Sequence, residues 1–174
     1  MRGIGVSMTR QLHTVARGRR IAGLRLLWVI PSAMLVLSLA AARAPLPKGL
    51  DGMTMCLPFV GPVTRIDSTL SGRARMLATI HEGAHAEQCR EIGAIRSYAA
   101  RLTVDGKLRS EARAFCAEAR WDLAGGHPRE HVLARIADEL ETAYDWTAGL
   151  SRGEIVAAIG AACPPLSAAA RAGG

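Results

Sequence analysis

The stretch SGRARMLATIHEGAHAEQCREIG, residues 71–93, decides how this chain is read. Ser71 can cap a helix. Met76, Leu77, Ile80, Ala84 and Ile92 recur at helical spacing, and Gly93 is a natural stop. On such a helix His81 and His85 stand one turn apart on one face, so both imidazoles can reach a single ion. Glu82 sits beside the first histidine, awkwardly placed to bind that ion but well placed to take a proton from a water next to it. Gly83 and Ala84 are small enough to let another element approach the helix closely. Two imidazoles do not complete a catalytic zinc site, so a third protein ligand is expected elsewhere.

Downstream, residues 95–104 (IRSYAARLTV) are ambiguous between helix and strand, and Asp105-Gly106 reads as a turn. A helix beginning at Leu108 or Ser110 should run to Ala124 and end at Gly125-Gly126. It offers Glu111 and Glu118, seven residues apart and on nearly the same face, as candidates for the third ligand. Pro128 is placed as a first helical residue, with Leu133, Ile136, Ala137, Leu140 and Tyr144 as the buried stripe that follows. Ser151-Arg-Gly-Glu154 is a capping box for a last helix reaching about Ala162, closed by Pro164-Pro165. His127 and His131 repeat the four-residue spacing and could stabilise an oxyanion or bind a second metal, but the favoured reading is of ordinary residues near a helix start. Tyr98 or Tyr144 could donate a proton to a tetrahedral intermediate. Cys89 lies on the histidine face, but its axial distance of ~12 Å from His81 is too great for a shared ion, so it reads as half of a disulfide.

With HEGAH at 81–85 and SEARAFCAEA following, the chain resembles small bacterial zinc metallopeptidases of the gluzincin type. In those proteins a helix some twenty to thirty residues after the motif supplies a glutamate, often opening an E-x-x-A pattern. Glu111-Ala-Arg-Ala114 fits that pattern, and Gln88, three residues after the second histidine, also recurs in such sequences. The resemblance spans roughly residues 76–120. It implies His81, His85 and Glu111 as ligands of Zn2+, Glu82 as catalytic general base, and a protein or peptide as substrate. Phe115 stands where some of these families carry Asp, which keeps Glu118 open as the third ligand. Glu91 stands where metzincins would place a third histidine, so that class is not matched.

Upstream the composition changes. The formal charge is +7, yet residues 1–25 carry six arginines and no acid, leaving sixteen basic against fifteen acidic residues beyond them. A net charge of +1 in the part expected to fold argues against a nucleic-acid partner. The hydrophobic run 26–42 follows the basic leader and ends in small residues, the layout of an export signal; an uncleaved membrane anchor is the alternative. Either way the remainder is expected on the periplasmic or extracellular side of the envelope. Cys56, Cys89, Cys116 and Cys163 all follow the leader, which favours two disulfides. The expected pairing is Cys89–Cys116 joining two helices and Cys56–Cys163 tying the ends.

The expected organisation is therefore a leader or anchor (1–44), an extended Pro/Gly-rich lead-in (45–69), a helical metallopeptidase-like domain (70–166) and a tail (167–174). At most one short strand fits the lead-in, near 60–66. The fold class is mainly α, with four to five helices and little sheet. The expected function is a zinc-dependent hydrolase, a metallopeptidase acting through a metal-activated water. The alternative is an envelope protein that binds zinc without catalysis.

Overall fold

The computed structural model describes residues 32–33, 35–41 and 43–167. The chain divides after Arg43 into two units, and the described residues of the first are helical. The basic leader and much of the hydrophobic run lie outside the described residues, as do 168–174 of the tail. Among the described residues no helix is long and apolar enough to cross a membrane.

The second unit opens with a β-hairpin, β1 (Gly52–Leu57) paired antiparallel with β2 (Gly61–Ile66), in a register running from Gly52↔Ile66 to Leu57↔Gly61. This corrects the expectation of at most one strand in the lead-in. Pro45, Pro47 and Gly49 lie before the hairpin, Gly52 opens β1, and Pro58, Gly61 and Pro62 gather at the turn, so none interrupts the middle of a strand. Pro58-Phe59-Val60 make the connection, Gly61 takes the positive φ of 88° that closes it, and Pro62 sits on a strand with a free edge. Along β1 side chains alternate, with Thr54 and Cys56 buried while Met53 and Met55 are half-buried.

The buried side of β1 lies on helix α1 (Gly72–Ala100). Gly93, expected to stop that helix, instead kinks it, holding φ 75° and ψ 167° between two helical segments. The ambiguous stretch 95–104 thus begins as helix. Ser71 precedes α1 but makes no side-chain cap. A short break leads to α2 (Val104–Ala124), which starts a turn earlier than expected. Asp105-Gly106 is not a turn: Thr103 caps α2 by accepting from the Gly106 amide, and a β-carbon at Gly106 would collide with the Ala100 carbonyl. The dipeptide that looked like a chain reversal is needed for the close approach of two helices.

Helix α3 (Arg129–Ala143), a 3-10 turn (Asp145–Thr147), α4 (Arg152–Ala162) and the single turn α5 (Pro164–Ser167) complete the unit. The Ser151/Glu154 capping box is present on α4 as expected. The architecture is mainly helical with one two-stranded sheet.

Helix α2 is the central element. One face supplies Phe115, Cys116 and Ala119 to the core, which Ile136 and Leu140 of α3, Ile155 and Ile159 of α4, and Leu166 complete. Its alanines Ala112 and Ala114 are fully buried, and the helix also packs against α1. The disulfides follow this layering and differ from the expected pairing. Cys56 on the inner face of β1 meets Cys89 on α1, and Cys116 on the core side of α2 meets Cys163 after α4, with Cα separations of 5.5 and 5.1 Å. Cys89 and Cys116 sit on helices that touch, but each points to a different layer. Two disulfides and no free cysteine among the described residues indicate an oxidising, exported location.

Candidate metal centre

Helix α1 presents its polar face to α2 at the level of His81 and His85, both buried. Their Nε2 atoms are 3.2 Å apart. Glu111, projecting from α2, places Oε2 3.2 Å from Nε2 of His81 and 3.3 Å from Nε2 of His85. Three lone-pair-bearing atoms on two helices thus converge in a nearly equilateral triangle. It is the one group among the described residues able to hold a metal ion. Of the two glutamates open at the sequence level, Glu111 meets both imidazoles on the converging side. Glu118 lies behind, with Oε1 2.7 Å from the opposite nitrogen of His81, Nδ1.

The surroundings fix both rings. Glu118 is itself held by Arg135 at 3.1 Å, and Arg135 also bonds the fully buried Asp122 at 3.1 Å. Arg73 reaches Asp122 from the start of α1 at 2.5 Å. Phe115 packs edge-on against His81 with ring centres 4.7 Å apart. Phe115 therefore acts as a wall for the first imidazole. Behind His85, Ser110 Oγ is 3.4 Å from Nδ1 and donates to Gln88 Oε1 at 2.8 Å, while Gln88 Nε2 donates to the Ser110 carbonyl at 3.0 Å. Both histidines thus use Nδ1 outward and Nε2 inward, an arrangement in which outer partners orient ligating rings.

Electrostatics follow from burial and pairing. Burial disfavours charge on His81, yet hydrogen bonds to Glu111 and Glu118 and their charges outweigh it, holding the imidazolium up to about 10 without a metal. Burial likewise opposes ionisation of Glu111, but hydrogen bonds and charge from His81 and His85 push its carboxyl well below the usual range. Tyr144, just after α3, donates to Glu111 Oε2 at 3.1 Å. Its own burial, then the Glu111 charge and hydrogen bond, raise its phenol above the ordinary range, so it remains a donor throughout.

Glu82 is buried, and its Oε2 has no hydrogen-bond partner among the described residues. An unpartnered buried carboxylate oxygen is costly and therefore informative. The hairpin confines it: Thr54 Oγ1 donates to the Glu82 carbonyl at 3.0 Å, and Gly52 lies directly against the side chain.

Other candidates fall elsewhere. His127 and His131 are exposed at the start of α3, outside the group. Tyr98 is half-exposed on the far part of α1. Glu91, exposed, pairs with Arg113 at 2.9 Å. Residues that sequence reasoning missed are Arg135, Asp122, Ser110 and the two hairpin positions Gly52 and Thr54. Asp122, four residues after Glu118, continues that helical face and carried a readable signal; Gly52 and Thr54 carried none, because their role depends on strand pairing. Comparison with known protein families, curated proteins and solved structures returned no match.

Proposed function

We propose that this protein is a zinc-dependent hydrolase, a metallopeptidase acting outside the cytoplasmic membrane, with His81, His85 and Glu111 as metal ligands. The observation that carries the reading is the size of the ligand triangle. A tetrahedral ion with bonds of ~2.0–2.1 Å needs ligand separations of about 3.3–3.4 Å. The three separations are 3.2, 3.2 and 3.3 Å. Octahedral Mg2+, with bonds of ~2.0–2.1 Å at right angles, would need about 2.9 Å. Two imidazoles with one carboxylate also suit zinc better than a hard cation. Three protein ligands leave the fourth position open, as catalytic zinc requires.

Zn2+ held there would supply Lewis acidity toward a water and toward a carbonyl oxygen. Glu82 accepts the proton of the attacking water and delivers it to the departing amine, its free Oε2 being the receiving atom. Tyr144, whose hydroxyl donates to Glu111 Oε2 in the metal-free site, would turn that one proton toward the developing oxyanion once Glu111 holds the ion. Glu118 holds His81 so that Nε2 faces inward, with Arg135 keeping the glutamate in place. The choice of peptide over ester or other amide rests on the resemblance of HEGAH and Glu111-Ala-Arg-Ala114 to gluzincins. A non-catalytic zinc-binding role is less well supported, since it gives no use to a buried, unpartnered Glu82 oxygen. The test compares parent and Glu82→Gln, both loaded with zinc, on a mixed peptide library read by mass spectrometry. Cleavage by the parent alone supports the reading; equal inertness with zinc bound removes it.

A further inference from the structure

Beyond residues 32–43, ten large apolar side chains are exposed among the described residues. Seven of them fall in two short stretches, 59–60 and 92–104, far more than chance scatter would place there. The stretches are neighbours in space. The hairpin turn and the kinked part of α1 line a groove of about 840 Å³ whose wall includes Phe59, Val60, Ile92 and Ile95. Phe59 is 77% exposed while held at φ 65°, a left-handed conformation that bulky residues avoid. Strain retained on an exposed aromatic at a turn tip points to use of that side chain. Past the kink, Ile95 (83% exposed) and Tyr98 lie three residues apart on one helix face, and Leu102 (84% exposed) follows in the turn just after the helix ends at Ala100.

The acids that border this patch, Glu91 and Asp105, are each paired with an arginine, Arg113 and Arg109, so the charges left over on it are positive. Residues 52–66 contain Arg65 and no acid, and residues 92–104 contain Arg96 and Arg101 and no acid. Arg96 follows Ile95 on the helix and Arg101 caps its end beside Leu102, and long arginine stems can lie along an apolar surface with their heads in a polar layer. A protein partner selected by directional contacts would meet acceptors as well as donors here. The patch offers protruding apolar groups, an interfacial tyrosine and arginines whose charge its bordering acids do not neutralise, a pattern suited to an anionic bilayer surface.

We propose that the hairpin turn, the far half of α1 and the turn that follows it form a docking surface for an anionic phospholipid bilayer, with Phe59, Ile95 and Leu102 entering the acyl boundary and Arg96 and Arg101 at the headgroups. The surface is separate from the metal ligands and independent of any hydrolysis.

The test uses the full chain with single tryptophans introduced as Phe59→Trp, Ile95→Trp and, as control, His131→Trp on exposed α3. Each is mixed with vesicles of phosphatidylglycerol and phosphatidylcholine whose acyl chains are brominated. Tryptophan at 59 and 95 should be quenched beyond the parent signal, and tryptophan at 131 should not. Adding Arg96→Gln and Arg101→Gln should lower partitioning through this face by roughly fivefold per arginine. The proposal is overturned if vesicle-bound chain shows no more quenching at 59 and 95 than at 131, since binding then runs through another segment. It is equally overturned if the chain ignores the vesicles, or if sedimentation shows a dimer that Ile95→Ser dissociates, which would assign the patch to a second copy.

Discussion

A β-carbon added at Gly52 would stand 2.6 Å from Cγ of Glu82 and 3.1 Å from its Oε1. Among the contacts between the hairpin and α1, this glycine is the one that lies against the Glu82 side chain, and the position of the carboxylate depends on it. Gly52→Ala should push Glu82 aside without touching a metal ligand. Turnover should fall at least tenfold, with zinc stoichiometry and thermal stability close to the parent's. If turnover is unchanged, the carboxylate does not need the place it occupies.

Glu82→Gln keeps the shape and removes the base. Loss of a positioned general base lowers rate by roughly 10²–10⁴-fold. Zinc affinity should stay within a few-fold of the parent's, measured by competition with a chromophoric chelator. A comparable loss of affinity would instead make Glu82 a ligand.

Glu118→Gln addresses the outer support of His81. Because Oε1 of Glu118 is 2.7 Å from Nδ1, neutralising it should weaken zinc binding by roughly 10–100-fold while leaving one ion per chain at saturation. Complete loss of binding at saturating zinc would contradict the assignment of Glu118 to support and of Glu111 to coordination.

The metal-free protein should show a particular pH dependence. His81 is raised from 6.5 to about 10, so its contribution to stability is complete below 6.5 and fades as pH rises through about 10. Glu111 is lowered from 4.5, so its contribution is complete above 4.5 and fades as pH falls toward the depressed value. Chelator-treated protein should therefore have its highest melting temperature between pH 4.5 and 6.5. Glu111→Gln should flatten both limbs; a maximum near pH 9 in the parent would be inconsistent with the pairing.

Closing loops of 33 and 47 residues, the two disulfides each stabilise the fold by about 4 kcal/mol in the chain-entropy picture. Cys116→Ser with Cys163→Ser should lower stability by an amount of that order, because that pair joins α2 to the end of the core. Peptide mapping without reduction should recover Cys56 with Cys89 and Cys116 with Cys163.

What could be read beforehand divides along physical lines. Helical periodicity placed α1 and α3, and local chemistry placed the Ser151/Glu154 box, because both are written within a few residues. The convergence of His81, His85 and Glu111 was legible in part: spacing on one helix fixed the first two, and family resemblance favoured the third. Choosing between Glu111 and Glu118 required knowing which side of His81 faces α2, a tertiary fact. The hairpin was missed because Pro58, Gly61 and Pro62 look disruptive when their common location at the turn is unknown. Asp105-Gly106 misled for the opposite reason, since Gly106 serves a helix contact and not a reversal. The disulfide pairing failed because contact between α1 and α2 does not mean that Cys89 and Cys116 face each other.

X-ray absorption at the zinc edge of the purified protein addresses the core of this account without any substrate. It should report one zinc per chain, bound by two imidazoles and oxygen at ~2.0–2.1 Å, with His85→Ala losing one imidazole. A spectrum with sulfur neighbours, or a protein that takes up no stoichiometric zinc, would contradict it.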